Sequence, residues 1–193
     1  MGRAEVVQKR QKAAIMALRV AALLATAAAT IVMALNKETR TFVVGTVGTT
    51  PVTASVTAKF QHTPANVFFV IANAMASNHN LMMIGSDLFG LEFKGFKLPL
   101  VAVLDMLNAA LLSAGVHGAA FMAQLAKNGN SHARWNEICD NFQGYCNRGG
   151  VAILAAYVGL LLTLGITVVS IVKLLKPKPK PQSQPLASEI EVP

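Results

Sequence analysis

The chain has 193 residues, of which 53% are hydrophobic and 13% are charged, whereas soluble domains carry about 25% charged residues. This composition excludes an ordinary soluble domain. A net charge of +8 would suit a nucleic-acid partner, but the basic residues gather beside apolar segments rather than along one face with aromatic residues. The sequence therefore predicts no nucleic-acid binding.

Four apolar stretches are each long enough to cross a bilayer at about 1.5 Å of rise per residue. They cover residues 13–35, 64–85, 98–124 and 151–175. We therefore predict an all-α membrane protein, a four-transmembrane-helix bundle. A cleavable signal peptide is the competing interpretation of the first stretch, but that stretch exceeds the apolar length of about 7–15 residues that signal peptides use.

Basic residues flank the outermost spans and predict the topology. Residues 1–12 carry four lysines or arginines, and four lysines lie at and after the end of the fourth span, between residues 173 and 180, whereas the segments 36–63 and 125–150 carry basic residues more sparsely. The positive-inside rule then places both termini and residues 86–97 in the cytoplasm, with the two longer segments outside. The tail, 176–193, alternates lysine with proline, which predicts a disordered, extended segment attracted to anionic lipid.

Arg19 and Asp105 are ionisable residues inside the first and third spans, where an isolated charge is costly. Counted along the helical rise, Arg19 lies about 9 Å and Asp105 about 10 Å beyond the starts of their spans. Opposite charges at one depth predict a buried structural ion pair, in which each group offsets the desolvation of the other.

The first outer segment, 36–63, is rich in valine and threonine and is interrupted by Gly45, Gly48 and Pro51. This pattern predicts a small β-rich extracellular loop of short strands and turns.

The second outer segment, 125–150, holds both cysteines of the chain, Cys139 and Cys146. Outside the cell the pair predicts a disulfide that closes a short loop. A zinc site formed with His132 is the alternative, although C-x-x-C spacing and a clear fourth ligand are missing. Trp135 is predicted to anchor this loop near the lipid headgroups.

Small residues recur at four-residue spacing in the first and third spans, where they would let helices approach closely. Packing within one subunit and contact between subunits both remain open for them. They are Ala17, Ala21, Ala25 and Ala29 in the first span, and Ala110, Ala114 and Gly118 in the third.

The four histidines are dispersed, and no catalytic residue, metal site or cofactor is predicted. Ser113, His117 and Asp105 superficially suggest a hydrolase triad. However, Asp105 and His117 lie about 18 Å apart along one helix, so the base could not touch both partners. For His79, near the inner end of the second span, we expect an interfacial or interhelical hydrogen bond.

Specific strings in the chain carry a family resemblance. They are Thr-Val-Gly-Thr-Thr-Pro-Val-Thr at 46–53, Pro-Leu-Val-Ala-Val-Leu-Asp at 99–105 and Asn-Gly-Asn-Ser-His-Ala-Arg-Trp at 128–135, and the second outer loop spaces Trp135, Ile138, Cys139, Phe142 and Cys146. With an arginine in the first span and an aspartate in the third, nearly the whole chain resembles the Casparian strip membrane domain protein-like (CASP-like) family of plants. The second loop is similar to the broader "like" branch rather than to the endodermal founding members.

The resemblance implies a multi-pass plasma-membrane protein related to the MARVEL four-helix group, whose founding members form scaffolds that gather cell-wall-modifying machinery. Its implied partners are further copies of the chain, related four-span proteins, membrane lipids and cell-wall-modifying proteins. We therefore predict a non-enzymatic, self-associating scaffold. The alternative is a channel or transporter subunit, because the second span is rich in polar residues. Those residues are Asn66, Asn73, Asn78, His79 and Asn80.

Overall fold

The computed structural model describes residues 3–90 and 97–175, and within these ranges four long helices and one two-stranded hairpin account for most of the chain. The elements are α1 (Arg3–Ala34), β1 (Lys37–Val47), β2 (Thr50–Lys59), α2 (Pro64–Leu88), α3 (Lys97–Asn128) and α4 (Gln143–Leu175). All four helices are long and apolar enough to cross a membrane. The predicted four-span bundle is thereby confirmed, while the predicted disordered tail, 176–193, lies outside the described residues.

Each helix extends beyond the apolar stretch that predicted it. α1 already begins at Arg3, and α4 begins at Gln143, within the segment predicted as the second outer loop. Helical hydrogen bonds are local, so a helix can continue through polar residues after the membrane-spanning part has ended. α2 begins at Pro64, where the missing N–H of proline leaves no helical hydrogen bond unmade.

The four helices form a bundle in which α1 and α3 occupy diagonally opposite corners. α1 packs on α2 and α4, and α3 packs on the same two helices. Small residues allow these close approaches: a Cβ at Gly159 would lie 2.7 Å from Thr26 Cγ2, and one at Gly115 would lie 2.8 Å from Ala72 Cβ. In lipid the hydrophobic effect does not drive helices together. Close packing of small residues is therefore a usual basis of helix association there.

The hairpin joins α1 to α2 and confirms the predicted β-rich first loop. β1 and β2 pair antiparallel from Lys37–Lys59 at the base to Val47–Thr50 at the tip, with an irregularity between Val43 and Gly45. Gly48 in the turn has a φ of 62°, a conformation that glycine adopts without steric cost. We call the end of the bundle that carries this hairpin and residues 129–142 the hairpin end, and the opposite end, where α1 begins, the terminal end.

Candidate functional site

Arg19 and Asp105, predicted to pair, are in direct contact in the bundle. The guanidinium of Arg19 donates from Nη1 to Asp105 Oδ1 at 3.1 Å and from Nη2 to Oδ2 at 2.9 Å. The two side chains are only 4% and 1% exposed. This two-point geometry is the arrangement in which an arginine best satisfies a buried carboxylate.

The same carboxylate also binds the other two helices. His79 Nε2 of α2 lies 2.8 Å from Asp105 Oδ1, and the hydroxyl of Ser170 in α4 donates to Oδ2 at 2.7 Å. Thr167 of α4 donates to the backbone carbonyl of Asp105 at 3.2 Å. Asp105, Arg19, His79 and Ser170, which we call the Asp105 cluster, therefore join all four helices at one carboxylate.

The sequence predicted the pairing of Arg19 with Asp105, and it predicted an interfacial or interhelical hydrogen bond for His79 without naming Asp105 as the partner. It did not predict the contact of Ser170. His79 lies nine residues before Leu88, the end of α2, and Asp105 lies eight residues after Lys97, the start of α3. The helical rise therefore puts both about 12–14 Å from the terminal end, so depth counting on antiparallel helices could have paired them. Ser170 carries no such signal, because serine in a helix commonly bonds a carbonyl of its own helix.

Most other polar residues of α2 make hydrogen bonds either to a neighbouring helix or to the backbone of α2 itself. Asn73 and Asn80 donate to carbonyls one turn earlier in α2, and Ser77 donates to Thr26 Oγ1 of α1 at 2.8 Å. Asn78 is exposed, and its amide approaches the sulfur of Met82 at 3.8 Å. Internal hydrogen bonds thus occupy most of the polar residues that had suggested a permeation path.

The residues that superficially resembled a hydrolase triad lie in two separate groups. Asp105 is engaged within its cluster, whereas His117 Nδ1 lies 2.8 Å from the carbonyl of Ser113 and its ring packs edge-on against Tyr157. This geometry offers no base that touches both a nucleophile and an acid, which a triad requires.

At the hairpin end, the sulfurs of Cys139 and Cys146 lie at a bonding distance of 1.98 Å. The pair links residues 129–142 to the first turn of α4. Zinc needs free thiolates, so the bond removes two of the ligands on which the zinc alternative with His132 depended. Trp135, the predicted interfacial anchor, is 57% exposed and pairs through its backbone with Asn130.

Glu38 of β1 fastens the hairpin to the start of α4. Its Oε2 accepts a 2.6 Å hydrogen bond from the backbone N–H of Tyr145, an unpaired donor of the first helical turn. Asn36 donates to the carbonyl of the same Tyr145 at 2.8 Å, and the rings of Phe42 and Phe142 meet edge to face at 6.0 Å. The hairpin and the disulfide-linked segment therefore form one continuous surface.

The Tyr145 N–H holds the pKa of Glu38 below its ordinary value of 4.5; burial acts in the opposite direction, and smaller contributions from Arg40 and Arg148 add to the lowering. A carboxylate whose pKa is lowered by folding stabilises the fold above its unfolded pKa and loses that contribution as pH falls through the folded value. Replacing Glu38 with glutamine should therefore lower the melting temperature at neutral pH. The difference from the unsubstituted protein should shrink below about pH 4.5.

Thermal unfolding in nanodiscs across this pH range measures the effect. Glutamic acid protonated at low pH resembles glutamine, so the two proteins should converge there. A constant difference between them from neutral to acidic pH would show that the charge of Glu38 is not what holds the hairpin. Gln61→Glu, an added carboxylate at an exposed position before α2, controls for a general effect of charge.

The predicted small-residue faces are divided between the interior and the outside of the bundle. In α1, Ala29 is buried and Ala25 is half-buried, whereas Ala17 and Ala21 are exposed. A four-residue step advances 40° around a helix of 3.6 residues per turn, so the row gradually rotates out of the core. In α3 the position is similar: Gly118 is half-buried, and Ala110 and Ala114 are exposed.

Comparison with known proteins agrees with the architecture. Residues 8–162 match the Casparian strip membrane protein domain. The chain is 62% identical to CASP-like protein 1B2 of Populus trichocarpa over 91% of this chain and 88% of the relative. It is 61% identical to CASP-like protein 1B1 of Ricinus communis over 83% of this chain and 80% of the relative. It is 56% identical to CASP-like protein 1B1 of Arabidopsis thaliana over 84% of each chain. No solved structure matches significantly.

The matched domain covers most of the chain, including most of α1, the hairpin, α2, α3 and the greater part of α4. Both Arg19 and Asp105 lie inside it, as do the two cysteines. This four-span chain belongs to the Casparian strip membrane protein domain family, as its resemblance to CASP-like proteins predicted.

Proposed function

We propose that the protein is a non-enzymatic, four-span scaffold of the plasma membrane, which self-associates into a membrane domain and recruits cell-wall-modifying partners. The observation that carries the proposal is the outward position of small residues on two opposite corners of the bundle. Ala17 and Ala21 of α1 and Ala110 and Ala114 of α3 stay exposed after the four helices have packed. Packing within one subunit does not use them, so they support contact between copies.

Two contact faces on diagonally opposite helices favour side-by-side growth. Where an α1 face meets an α3 face, each copy keeps one unused face, so the contact repeats to give chains or rings. Related four-span proteins with similar faces would join the same array. The array would repeat the hairpin end as an outer surface for cell-wall-modifying partners.

The Asp105 cluster favours a structural role over transport. A channel or transporter subunit needs polar groups that solutes can reach, usually with broken helices. Here Arg19 of α1 and Asp105 of α3 bind each other, and Asp105 also binds α2 and α4. Both α2 and α4 are unbroken. A buried polar cluster that joins all four helices suits a rigid subunit of an assembly.

The proposed location places the hairpin end outside the plasma membrane and both termini in the cytoplasm. The basic flanks of the first and fourth spans support this orientation, and a cysteine pair at bonding distance suits an oxidising compartment. A pH-sensitive fluorescent tag at each terminus reports its side of the membrane, and an external signal from either one contradicts the orientation.

Energy transfer between donor- and acceptor-labelled copies in liposomes tests self-association. We expect efficient transfer that persists on dilution with lipid and is largely lost in either of two double variants. These are Ala17→Phe with Ala21→Phe, and Ala110→Phe with Ala114→Phe. Each adds bulk at exposed positions, so the fold should survive.

Leu154→Phe with Val158→Phe is the control, because it also places two phenylalanines four residues apart at exposed positions, but on α4. Mixing the α1 variant with the α3 variant should restore dimers but no larger species if α1 meets α3. Protein that stays monomeric in liposomes yet conducts ions or solutes would reject the scaffold and favour the channel subunit.

A further inference from the structure

A cavity of about 670 Å³ opens at the hairpin end. All four helices and the segment 129–142 contribute to its wall, among them Met33 of α1, Asn66 of α2, Ala123 of α3 and Ile153 of α4. Ala123 lies eighteen residues beyond Asp105 on α3, about 27 Å of helical rise. The cavity is therefore separate from the Asp105 cluster, and its volume lies within the range of about 300–1,000 Å³ typical of small-molecule sites.

The wall is mainly apolar, with polar groups concentrated where the helices meet the loops. Met33 and Ile153 belong to the apolar part, while Asn36, Gln143 and Tyr145 lie where the hairpin meets α4. The wall follows α4 from Gln143 to Ile153, about 15 Å of rise. A molecule that fills it would have a polar group at the loop level and an apolar body alongside the helices.

One wall residue carries an unused hydrogen-bond acceptor. Asn36 is 1% exposed, and its Nδ2 donates to the Tyr145 carbonyl, but its Oδ1 has no partner among the described residues. Buried polar groups are nearly always paired. The missing partner must donate, so a hydroxyl meets the requirement, whereas an ionised carboxylate or a phosphodiester has no proton to donate.

We propose that this cavity binds a sterol, drawn from the lipid leaflet at the hairpin end, with the sterol hydroxyl donating to Asn36 Oδ1 and its rings against the apolar wall. A rigid ring system suits the site better than a flexible alkyl alcohol, because it loses less conformational freedom on binding. The inference adds a lipid site to the proposed scaffold and does not depend on self-association.

The single tryptophan of the chain, Trp135, lies in the cavity wall and serves as the reporter. In nanodiscs that contain the fluorescent sterol dehydroergosterol, excitation of Trp135 should give sterol emission that saturates at a low sterol fraction. Sterol that merely diffuses past the protein would add a component that rises linearly without saturating.

Gly150→Phe is the blocking variant, because Gly150 lines the cavity and an added Cβ would meet no atom within 4 Å. Gly165→Phe is the matched control: it is the same change on the same helix, also with open space, but outside the cavity wall. We expect the saturable emission to disappear in Gly150→Phe and to persist in Gly165→Phe.

Competition with non-fluorescent sterols tests the hydroxyl. Sitosterol should displace the probe, and its 3-keto analogue should require about tenfold more, as expected for the loss of one hydrogen bond to a buried acceptor. Saturable emission that survives in Gly150→Phe, purely linear emission in the unsubstituted protein, or displacement by a long-chain alcohol but not by sitosterol would each overturn the proposal.

Discussion

Replacing either Arg19 or Asp105 with leucine should destabilise the bundle by about 3–5 kcal/mol, the usual cost of breaking a buried ion pair from one side. The charge left behind would be almost fully buried, because the side chains of Arg19 and Asp105 are only 4% and 1% exposed. The loss should be larger for Asp105→Leu, because it removes the acceptor of donors from α1, α2 and α4. In Arg19→Leu the carboxylate keeps His79 and Ser170.

The double variant, Arg19→Leu with Asp105→Leu, should lose less stability than the sum of the single variants, because no buried charge is then left alone. Measuring the folded fraction during unfolding in mixed micelles gives the free energy of unfolding of the two single variants and of the double variant. Strictly additive losses would show that the two residues do not interact. Asn78→Leu, an exposed position of α2 outside the cluster, should be nearly neutral and controls for a general gain in hydrophobicity.

Ser170→Ala and His79→Leu extend the test to the helices that sequence analysis did not connect to Asp105. Each removes one donor, so each should cost less than Asp105→Leu. When either is combined with Asp105→Leu, the additional loss should be small, because the acceptor has already gone.

The features that the sequence predicted are those that depend on local pattern or on depth in the membrane. Apolar length predicts the four helices, the valine- and threonine-rich segment predicts the hairpin, and equal depth predicts the contact of Arg19 with Asp105. Each of these features can be predicted from the positions of residues along a single element. Depth in the membrane then provides a common scale on which residues of different helices can be compared.

The features that escaped prediction depend on rotation about a helix axis and on the folded path of loops. Ser170 meets Asp105 because α3 and α4 pack with those faces together. Thr167 and Ser170 share one face of α4 and both bind Asp105, but their spacing does not say which helix that face contacts. Glu38 reaches the N–H of Tyr145 across more than one hundred residues of sequence. The cavity likewise requires the ends of four helices and one loop to be placed together.

Loss of the Cys139–Cys146 bond should cost about 2.5 kcal/mol in the chain-entropy model, and its effect should be confined to the hairpin end. The bond ties residues 129–142 to the first turn of α4, where Phe142 packs on Phe42 and Tyr145 binds Glu38. In the double variant Cys139→Ser with Cys146→Ser, we expect faster hydrogen exchange in this region. Hydrogen exchange around Asp105, in the half of α3 that lies toward the terminal end of the bundle, should be unchanged.

Reduction of the unsubstituted protein provides the matched control for the serine variant. Dithiothreitol should lower its stability to that of the double serine variant and leave the variant itself unaffected, because only the former has a bond to lose. Mass mapping without reduction should recover Cys139 and Cys146 in one linked peptide. If both thiols of protein taken from the plasma membrane react with an alkylating reagent before reduction, the bond is absent in the cell. In that case the hairpin end is held in the cell by its hydrogen bonds and its aromatic pair, among them the bonds of Glu38 and Asn36 to Tyr145.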